Sequence, residues 1–267
     1  MKTLRIFLLI VIIFGVGLLL TQKTWVPKLV DFIISHETPA KTLPTPTTKE
    51  KSSSISITTQ KITEANFTGT VTVISGTSAL AVKMQEYIKT TVDEFRKQAN
   101  MDVPSIRAKF GADSPPATYE IDPAIYEIDI NSKYIKSEKT ESIVTDVYTF
   151  TGGAHGSTVY QVMTADRASG KILALSDIIA KEKQSAFVEF IKKELNSWIP
   201  EGSDAPVVFA DNVNSLTFDS FVNWSLDSEN LIIYFDQYSI GPGVLGVTAF
   251  PVPLTKISDF VNANYSN

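Results

Sequence analysis

The sequence contains no cysteine and only two histidines, His36 and His155. Without cysteine, neither a disulfide bond nor attachment through a lipidated N-terminal cysteine is available to this chain. A zinc site would need carboxylates around a single imidazole, because His36 lies in a polar segment rich in threonine and proline. We therefore predict no metal site and no cofactor.

The sequence also lacks a complete catalytic set. It has no Walker A motif and no G-x-S-x-G elbow. His155 and Ser157 lie two residues apart in a strand-like stretch, roughly 7 Å along one face, which is too far for a base to activate a nucleophile. Glu127 and Asp129 share a strand face by alternation, a pattern typical of a solvated surface. We assign no catalytic residue and expect no enzymatic activity from this chain.

Positive charge is concentrated near the N-terminus, and negative charge dominates the remainder. Residues 1–54 contain seven Lys or Arg and three Asp or Glu, whereas residues 55–267 contain 17 and 26, a net charge of −9. This excess disfavours nucleic acid and anionic lipid as partners of residues 55–267. It favours a cationic partner, mainly through the rate of encounter. Solubility alone is the alternative explanation of the charge.

An unbroken apolar run covers residues 6–20 and follows Lys2 and Arg5. The run lacks the small-residue cleavage site of a secretory signal peptide, and with its flanks it reaches the roughly 20 residues that cross a bilayer. We predict a short cytoplasmic N-terminus over residues 1–5, a transmembrane signal anchor over 6–26, and a single-pass protein of the cell membrane. A cleaved signal peptide is the alternative. Residues 27–54, rich in Pro, Thr and Ser, are predicted to form a disordered linker.

Residues 55–267 carry the periodicities of an α+β fold. Apolar residues at helical spacing predict one helix of about 20 residues that ends near Asn100, and a second over residues 187–199. Strand-like runs joined by turns lie before, between and after these helices, among them residues 142–150, 157–164, 216–218, 221–226, 231–235 and 247–254. This order predicts mostly antiparallel meander sheets with two main amphipathic helices, in subdomains over residues 55–165 and 166–267.

Two glycine-rich stretches between strands are the candidate binding segments. T-G-G-A-H-G, residues 151–156, holds the only histidine of residues 55–267, and F-D-Q-Y-S-I-G-P-G-V-L-G, residues 235–246, is a second loop. Dense glycine allows positive φ and close approach of other groups. Both stretches also fit a purely structural role, with the histidine as a hydrogen-bonded scaffold residue. The candidate ligand-binding residues are His155, Gly153, Gly156, Tyr238 and Pro242.

The sequence Y-T-F-T-G-G-A-H-G, residues 148–156, resembles the signature of an extracytoplasmic domain of unknown function. S-G-K-I-L-A-L-S-D-I, residues 169–178, is similar to the T-G-K-x-x-x-L-x-D-L turn that follows it in the family. Residues 234–246, with F-P-V-P at 250–253, resemble the end of its partner domain. Such paired domains form the ectodomain of the anti-sigma factor RsiV and the N-terminal part of the peptidoglycan deacetylase PdaC. The resemblance covers about residues 55–260.

The resemblance implies a binding role outside the cytoplasm. The RsiV-type ectodomain binds lysozyme, and a net charge of −9 over residues 55–267 would suit that cationic protein. We expect neither a sigma-factor-binding segment before the apolar run nor a deacetylase domain after the pair. The predicted function is a membrane-anchored, extracytoplasmic sensing module whose ligand is lysozyme or peptidoglycan. A cell-wall hydrolase that uses His155 and a structural envelope protein are the alternatives.

Overall fold

Two β-sheets organise the part of the chain that the computed structural model describes, residues 55–110 and 126–265. The anchor and linker predicted for residues 1–54 lie outside these ranges. Within them, no helix combines the length and the apolar character needed to cross a membrane. The larger sheet has six strands in chain order: β1 (Ser56–Thr63), β2 (Phe67–Ser75), β3 (Tyr126–Lys136), β4 (Thr140–Phe150), β5 (Ser157–Asp166) and β6 (Ile172–Leu173). The smaller sheet contains β7 (Trp224–Leu226), β8 (Asn230–Phe235) and β9 (Thr248–Pro253).

All paired strands are antiparallel except β2 and β3, which are parallel. A parallel pair needs a long crossover connection, and the chain between β2 and β3 contains the longest described helix, α1 (Ala79–Phe110). The prediction of an α+β fold with mostly antiparallel sheets is confirmed. The parallel pair was not predicted, because side-chain alternation does not encode strand direction.

Helix α1 has 32 residues, so the prediction of an end near Asn100 was wrong. The apolar stripe continues past that point, because Val103, four residues after the buried Ala99, is also fully buried. Pro104 lies inside the helix and removes one backbone donor. Since both Pro104 and Asn100 are exposed, water can bond the carbonyl group that loses this donor.

Four further helices are described: α2 (Leu175–Ile178), α3 (Gln184–Asn196), α4 (Ala210–Asn214) and α5 (Leu254–Ile257). Helix α3 confirms the second predicted amphipathic helix, although it ends before Pro200. The strand predicted over residues 216–218 was wrong. A 3-10 turn, Phe218–Ser220, follows instead, and the Thr217 amide donates to Ser220 Oγ at 3.0 Å. Short polar side chains of this kind compete with strand pairing for backbone groups.

The larger sheet has one face packed on α1, here called the inner face, and an opposite outer face. Buried side chains of the inner face and of α1 form one core: Phe67, Ile128, Ile130, Ile143, Val147, Leu80, Met84 and Ile88. On the outer face, Val144 and Val162 pack against Tyr234 of β8. The smaller sheet has a core of its own, which includes Phe187 and Ile191 of α3. The outer face is therefore covered only in part by the smaller sheet.

Candidate functional site

The T-G-G-A-H-G stretch forms the turn between β4 and β5. Gly152 and Gly153 have φ values of 92° and 99°, which residues with a side chain rarely adopt. This turn brings the chain back into the antiparallel pairing of β4 with β5, which begins at Thr149 and Ser157. It also leaves His155 exposed at the end of the sheet.

The His155 ring uses both of its nitrogens in hydrogen bonds. Nδ1 lies 3.0 Å from the carbonyl oxygen of Gly156, and Nε2 lies 3.2 Å from the hydroxyl of Tyr238. Because a carbonyl oxygen only accepts, the proton of the neutral ring is on Nδ1, and Nε2 accepts from the tyrosine. The histidine is thus hydrogen-bonded, as a scaffold residue would be, and also exposed, as a ligand contact would be.

Tyr238 reaches the histidine from the loop that follows β8. Its φ is 68°, the one positive value among non-glycine residues of the described ranges. Such a conformation costs roughly 1–3 kcal/mol and persists only where neighbours impose it. Here Gln237 Nε2 donates to the Gly243 carbonyl at 3.2 Å, and a Cβ on Gly243 would collide with the Tyr238 ring. The Tyr238 residue is nevertheless 48% exposed.

A second tyrosine lies beside the turn and was missed by the sequence analysis. The ring of Tyr148, on β4, lies so close to Gly156 that a Cβ on the glycine would collide with it. Gly156 and Gly243 therefore each provide the space for one tyrosine ring. Tyr148 begins the signature sequence of residues 148–156, but only the register of β4 against β3 shows that it shares a face with the carboxylates of the neighbouring strand.

Those carboxylates belong to Glu127 and Asp129 of β3. Asp129 pairs directly with Tyr148 in the β3–β4 register, and its Oδ1 accepts the Thr70 amide at 2.8 Å. Burial raises the pKa of the Tyr148 hydroxyl, and the charges of Glu127 and Asp129 raise it further. The predicted shared face of the two carboxylates is confirmed, and it lies next to the T-G-G-A-H-G turn.

Three side chains from the part of the chain that follows β6 bond to the free edge of β5. They hold the loop of Tyr238 against the T-G-G-A-H-G turn. Gln237 Oε1 accepts the Thr158 amide at 3.1 Å, and Asp236 Oδ1 accepts the Tyr160 amide at 2.7 Å. Asn223 accepts the amide of Val162 at 2.9 Å and donates to the Tyr160 carbonyl at 2.9 Å. These three side chains replace a neighbouring strand along β5.

Burial raises the pKa of the Asp236 carboxyl, and the hydrogen bond from the Tyr160 amide lowers it in part. Tyr160 itself packs edge-on against Tyr234, with ring centroids 4.9 Å apart. Burial raises the pKa of the Tyr160 hydroxyl to about 12, with contributions from Asp146, Tyr234 and Asp236. The contact between the turn and the loop thus rests on a well-packed, hydrogen-bonded support.

Pro242, the fifth candidate residue, lies in the same loop but lines a different surface. It borders a cleft of about 360 Å³ together with Trp198, Val207 and Leu245, and neither His155 nor Tyr238 lines that cleft. The structure brings the turn of Gly153, His155 and Gly156 together with Tyr238, and Gly243, the residue after Pro242, lies against the Tyr238 ring.

The glycines of the loop over residues 235–246 also match the sequence pattern G-x-G-x-x-G, at Gly241, Gly243 and Gly246. In a dinucleotide site this spacing opens a helix whose N-terminus holds the pyrophosphate. Here a 3-10 turn, Gly243–Leu245, leads into strand β9. No helix N-terminus follows the glycines, so the spacing does not form a dinucleotide site.

The imidazole has a carbonyl and a phenol as partners, and within the described ranges no carboxylate or serine bonds to it. Across residues 55–110 and 126–265, no group of three or more His, Cys, Asp or Glu is arranged to hold a metal ion. The arrangement presents two aromatic side chains and the imidazole at a surface bordered by carboxylates.

Two family models match different parts of the chain. Residues 49–158 match the family model described as Deacetylase PdaC, and residues 176–255 match that of the Protein of unknown function (DUF3298). The peptidoglycan-N-acetylmuramic acid deacetylase PdaC of Bacillus subtilis (strain 168) is 21% identical over 145 residues. The match covers 52% of this chain and 30% of the length of that protein.

Two solved structures share the fold. A member of the DUF3298 family from Bacteroides fragilis superposes with a TM-score of 0.54 at 14% identity, over 81% of this chain and 96% of that one. A DUF3298 family protein from Pseudomonas aeruginosa gives 0.50 at 16% identity, over 79% and 94%. At these identities the likeness shows the α+β architecture alone.

Proposed function

Because this chain joins a PdaC-type domain to a DUF3298 domain, we propose that it is an extracytoplasmic module of the cell envelope that binds a cell-wall ligand. In this proposal the apolar run of residues 6–20 anchors it in the cell membrane, and lysozyme or peptidoglycan is the ligand. The observation that carries the proposal is the exposed contact between His155 and Tyr238.

That contact joins the two segments that the sequence analysis selected. They are 83 residues apart in the chain, and they lie in the two regions that match different domain families. A tyrosine that keeps a positive φ while half its surface faces solvent is a feature of sites where neighbouring structure maintains strain for function. Exposed tyrosine is also favoured at binding surfaces, since it offers a large contact area with few rotatable bonds.

Charge and relatives support the two ligand classes. The net charge of −9 over residues 55–267 would accelerate association with a cationic protein such as lysozyme. The Bacillus subtilis relative is named for a reaction on peptidoglycan, which supports a ligand in the cell wall. We propose binding without catalysis, because both nitrogens of His155 already have partners and neither partner is a carboxylate.

The test is a binding measurement with the full-length chain in a mild detergent. Lysozyme and purified peptidoglycan are titrated separately at low and high salt. We expect one of them to bind and Tyr238→Ala to weaken that binding about tenfold, the loss of roughly 1.4 kcal/mol of contact energy. Binding to lysozyme that weakens with salt would identify the cationic protein as the ligand.

Phe209→Ala is the matched control, because Phe209 is an aromatic residue with 47% exposure against 48% for Tyr238, and alanine at this position keeps the backbone hydrogen bond to the Tyr238 loop, from the amide to the Ile240 carbonyl at 2.8 Å. It should leave binding unchanged. If neither ligand binds, or if both variants weaken binding equally, the proposal is wrong.

A further inference from the structure

We propose that Tyr148, His155 and Tyr238 form a sugar-binding platform for a hexosamine chain without acidic substituents, and that free amino groups on the chain strengthen binding. This inference rests on the proposed binding function and specifies the ligand class. Three features of the site support it: an aromatic surface, carboxylates beside that surface, and a geometry that is formed before the ligand binds.

The aromatic surface consists of two tyrosines that reach the turn of His155 from different elements, Tyr148 from β4 and Tyr238 from the loop after β8. Tyr148 lies against Gly156, the residue after His155, and Tyr238 donates its hydroxyl hydrogen bond to the histidine ring. Aromatic side chains combine a flat apolar face with a polar edge, which suits a ligand that is itself apolar on one face and hydroxylated at its edges. A pyranose ring has that character, and the exposed part of Tyr238 is accessible to it.

The carboxylates beside the platform define the charge of the ligand. Glu127 and Asp129 lie on the outer face with Tyr148, and within the described ranges neither forms an ion pair. Carboxylates accept hydrogen bonds from sugar hydroxyls and bind ammonium groups more strongly, whereas phosphate or carboxylate groups on a ligand would be repelled. A hexosamine with free amino groups therefore complements this surface better than an acidic polymer does.

The geometry is formed before any ligand arrives. Tyr148 is on a central strand of the larger sheet, and Tyr238 is held by Gln237, Gly243 and the free edge of β5. A surface that is already ordered loses little conformational entropy on binding. A weak contact such as stacking on a sugar ring can then contribute measurable affinity.

The experiment uses the full-length chain and three oligosaccharides of four residues each, titrated by calorimetry. They are glucosamine tetramer, N-acetylglucosamine tetramer and galacturonic acid tetramer. We expect the glucosamine tetramer to bind about tenfold more tightly than the acetylated one, as one charge-assisted hydrogen bond would provide. The galacturonic acid tetramer should not bind. Equal or stronger binding of the acidic tetramer would overturn the inference.

Variants separate the contribution of the rings from that of the carboxylates. Tyr238→Ala should bind both hexosamine tetramers about tenfold more weakly. Tyr238→Phe, which keeps the ring, should retain most of the affinity. The double variant Glu127→Gln, Asp129→Asn should bind both hexosamine tetramers alike, and the amide oxygen that it places at position 129 can still accept the Thr70 amide. Unchanged binding by Tyr238→Ala, or unchanged selectivity in the double variant, would contradict the platform.

The inference and the proposed function fail in different ways. If no hexosamine tetramer binds while lysozyme or peptidoglycan still does, the platform is wrong and the binding module remains. If neither tetramers nor the larger ligands bind, both are wrong. Circular dichroism of each variant shows whether a loss of binding reflects loss of the fold.

Discussion

The two faces of the larger sheet are covered in different ways. Helix α1 packs on the inner face through apolar contacts, and Phe67, Ile128 and Ile130 are fully buried there. The outer face meets the smaller sheet at Val144, Val162 and Tyr234, and beyond that contact it carries half-buried carboxylates and tyrosines. The inner face thus supplies hydrophobic stability, whereas the outer face combines a contact with the smaller sheet and the candidate site.

This difference explains why the candidate site lies where it does. A face that is fully buried can hold few unpaired polar groups, because each one carries a large desolvation cost. On the outer face, Asn223, Asp236 and Gln237 bond to the edge of β5, and Glu127 and Asp129 of the neighbouring strand β3 remain half-buried near solvent. Substitutions on the inner face should therefore affect mainly the stability of the fold. Substitutions on the outer face should affect mainly ligand binding.

The largest effect is expected on the inner face. Phe67→Ala removes a fully buried ring that contacts Phe95 edge-on at 5.5 Å, and it should lower the free energy of unfolding by about 3–5 kcal/mol. Urea denaturation measures it, and Phe209→Ala should change the same quantity by less than about 0.5 kcal/mol. A comparable loss in both variants would show that the inner face has no special share in stability.

A smaller effect is expected where the second half of the chain meets β5. Asn223→Ala removes two hydrogen bonds to the backbone of Tyr160 and Val162, and should destabilise the protein by about 1–3 kcal/mol. Amide hydrogen exchange should show faster exchange at Val162 than at residues of β3. If exchange accelerates equally along the inner face, the β5 edge and the inner core unfold together, and the contrast between the faces is lost.

The smallest effect is a pH dependence at the same edge. Burial raises the folded-state pKa of Asp236, so the folded state binds this proton more tightly than the unfolded state does. The cost of ionising Asp236 is therefore present at neutral pH. It is relieved as pH falls through the raised folded value toward the unfolded one. Asp236→Asn should be more stable relative to the parent at pH 7 than at pH 4, measured by urea denaturation.

Asp166 provides a control of opposite sign. Burial alone would raise the pKa of the Asp166 carboxyl, but hydrogen bonds from Ser169 and Tyr265 lower that pKa below its ordinary value. Its contribution to stability is present above the unfolded pKa and is lost as pH falls through the folded one. Asp166→Asn should therefore destabilise the protein at pH 7 and less so at low pH. Equal pH profiles for the two variants would contradict both assignments.

Sequence reasoning identified the parts of the site better than their arrangement. Glycine density marked residues 151–156 and 235–246, and alternation placed Glu127 and Asp129 on one face, because both signals are local. Tyr148 was overlooked, since its role depends on the space left by Gly156. Pro242 was a candidate from the same loop as Tyr238, and in the structure it borders a cleft with Trp198 and Leu245.

The sequence by itself determined the class of fold, the two amphipathic helices and the sharp turn at residues 151–156. These follow from side-chain periodicity and from the backbone freedom of glycine, which act over a few residues. Only the tertiary structure decided that β2 and β3 run parallel, that Asn223, Asp236 and Gln237 cover the edge of β5, and that Tyr238 meets His155. Those contacts join residues at least 59 positions apart, such as Thr70 and Asp129, so no local pattern records them.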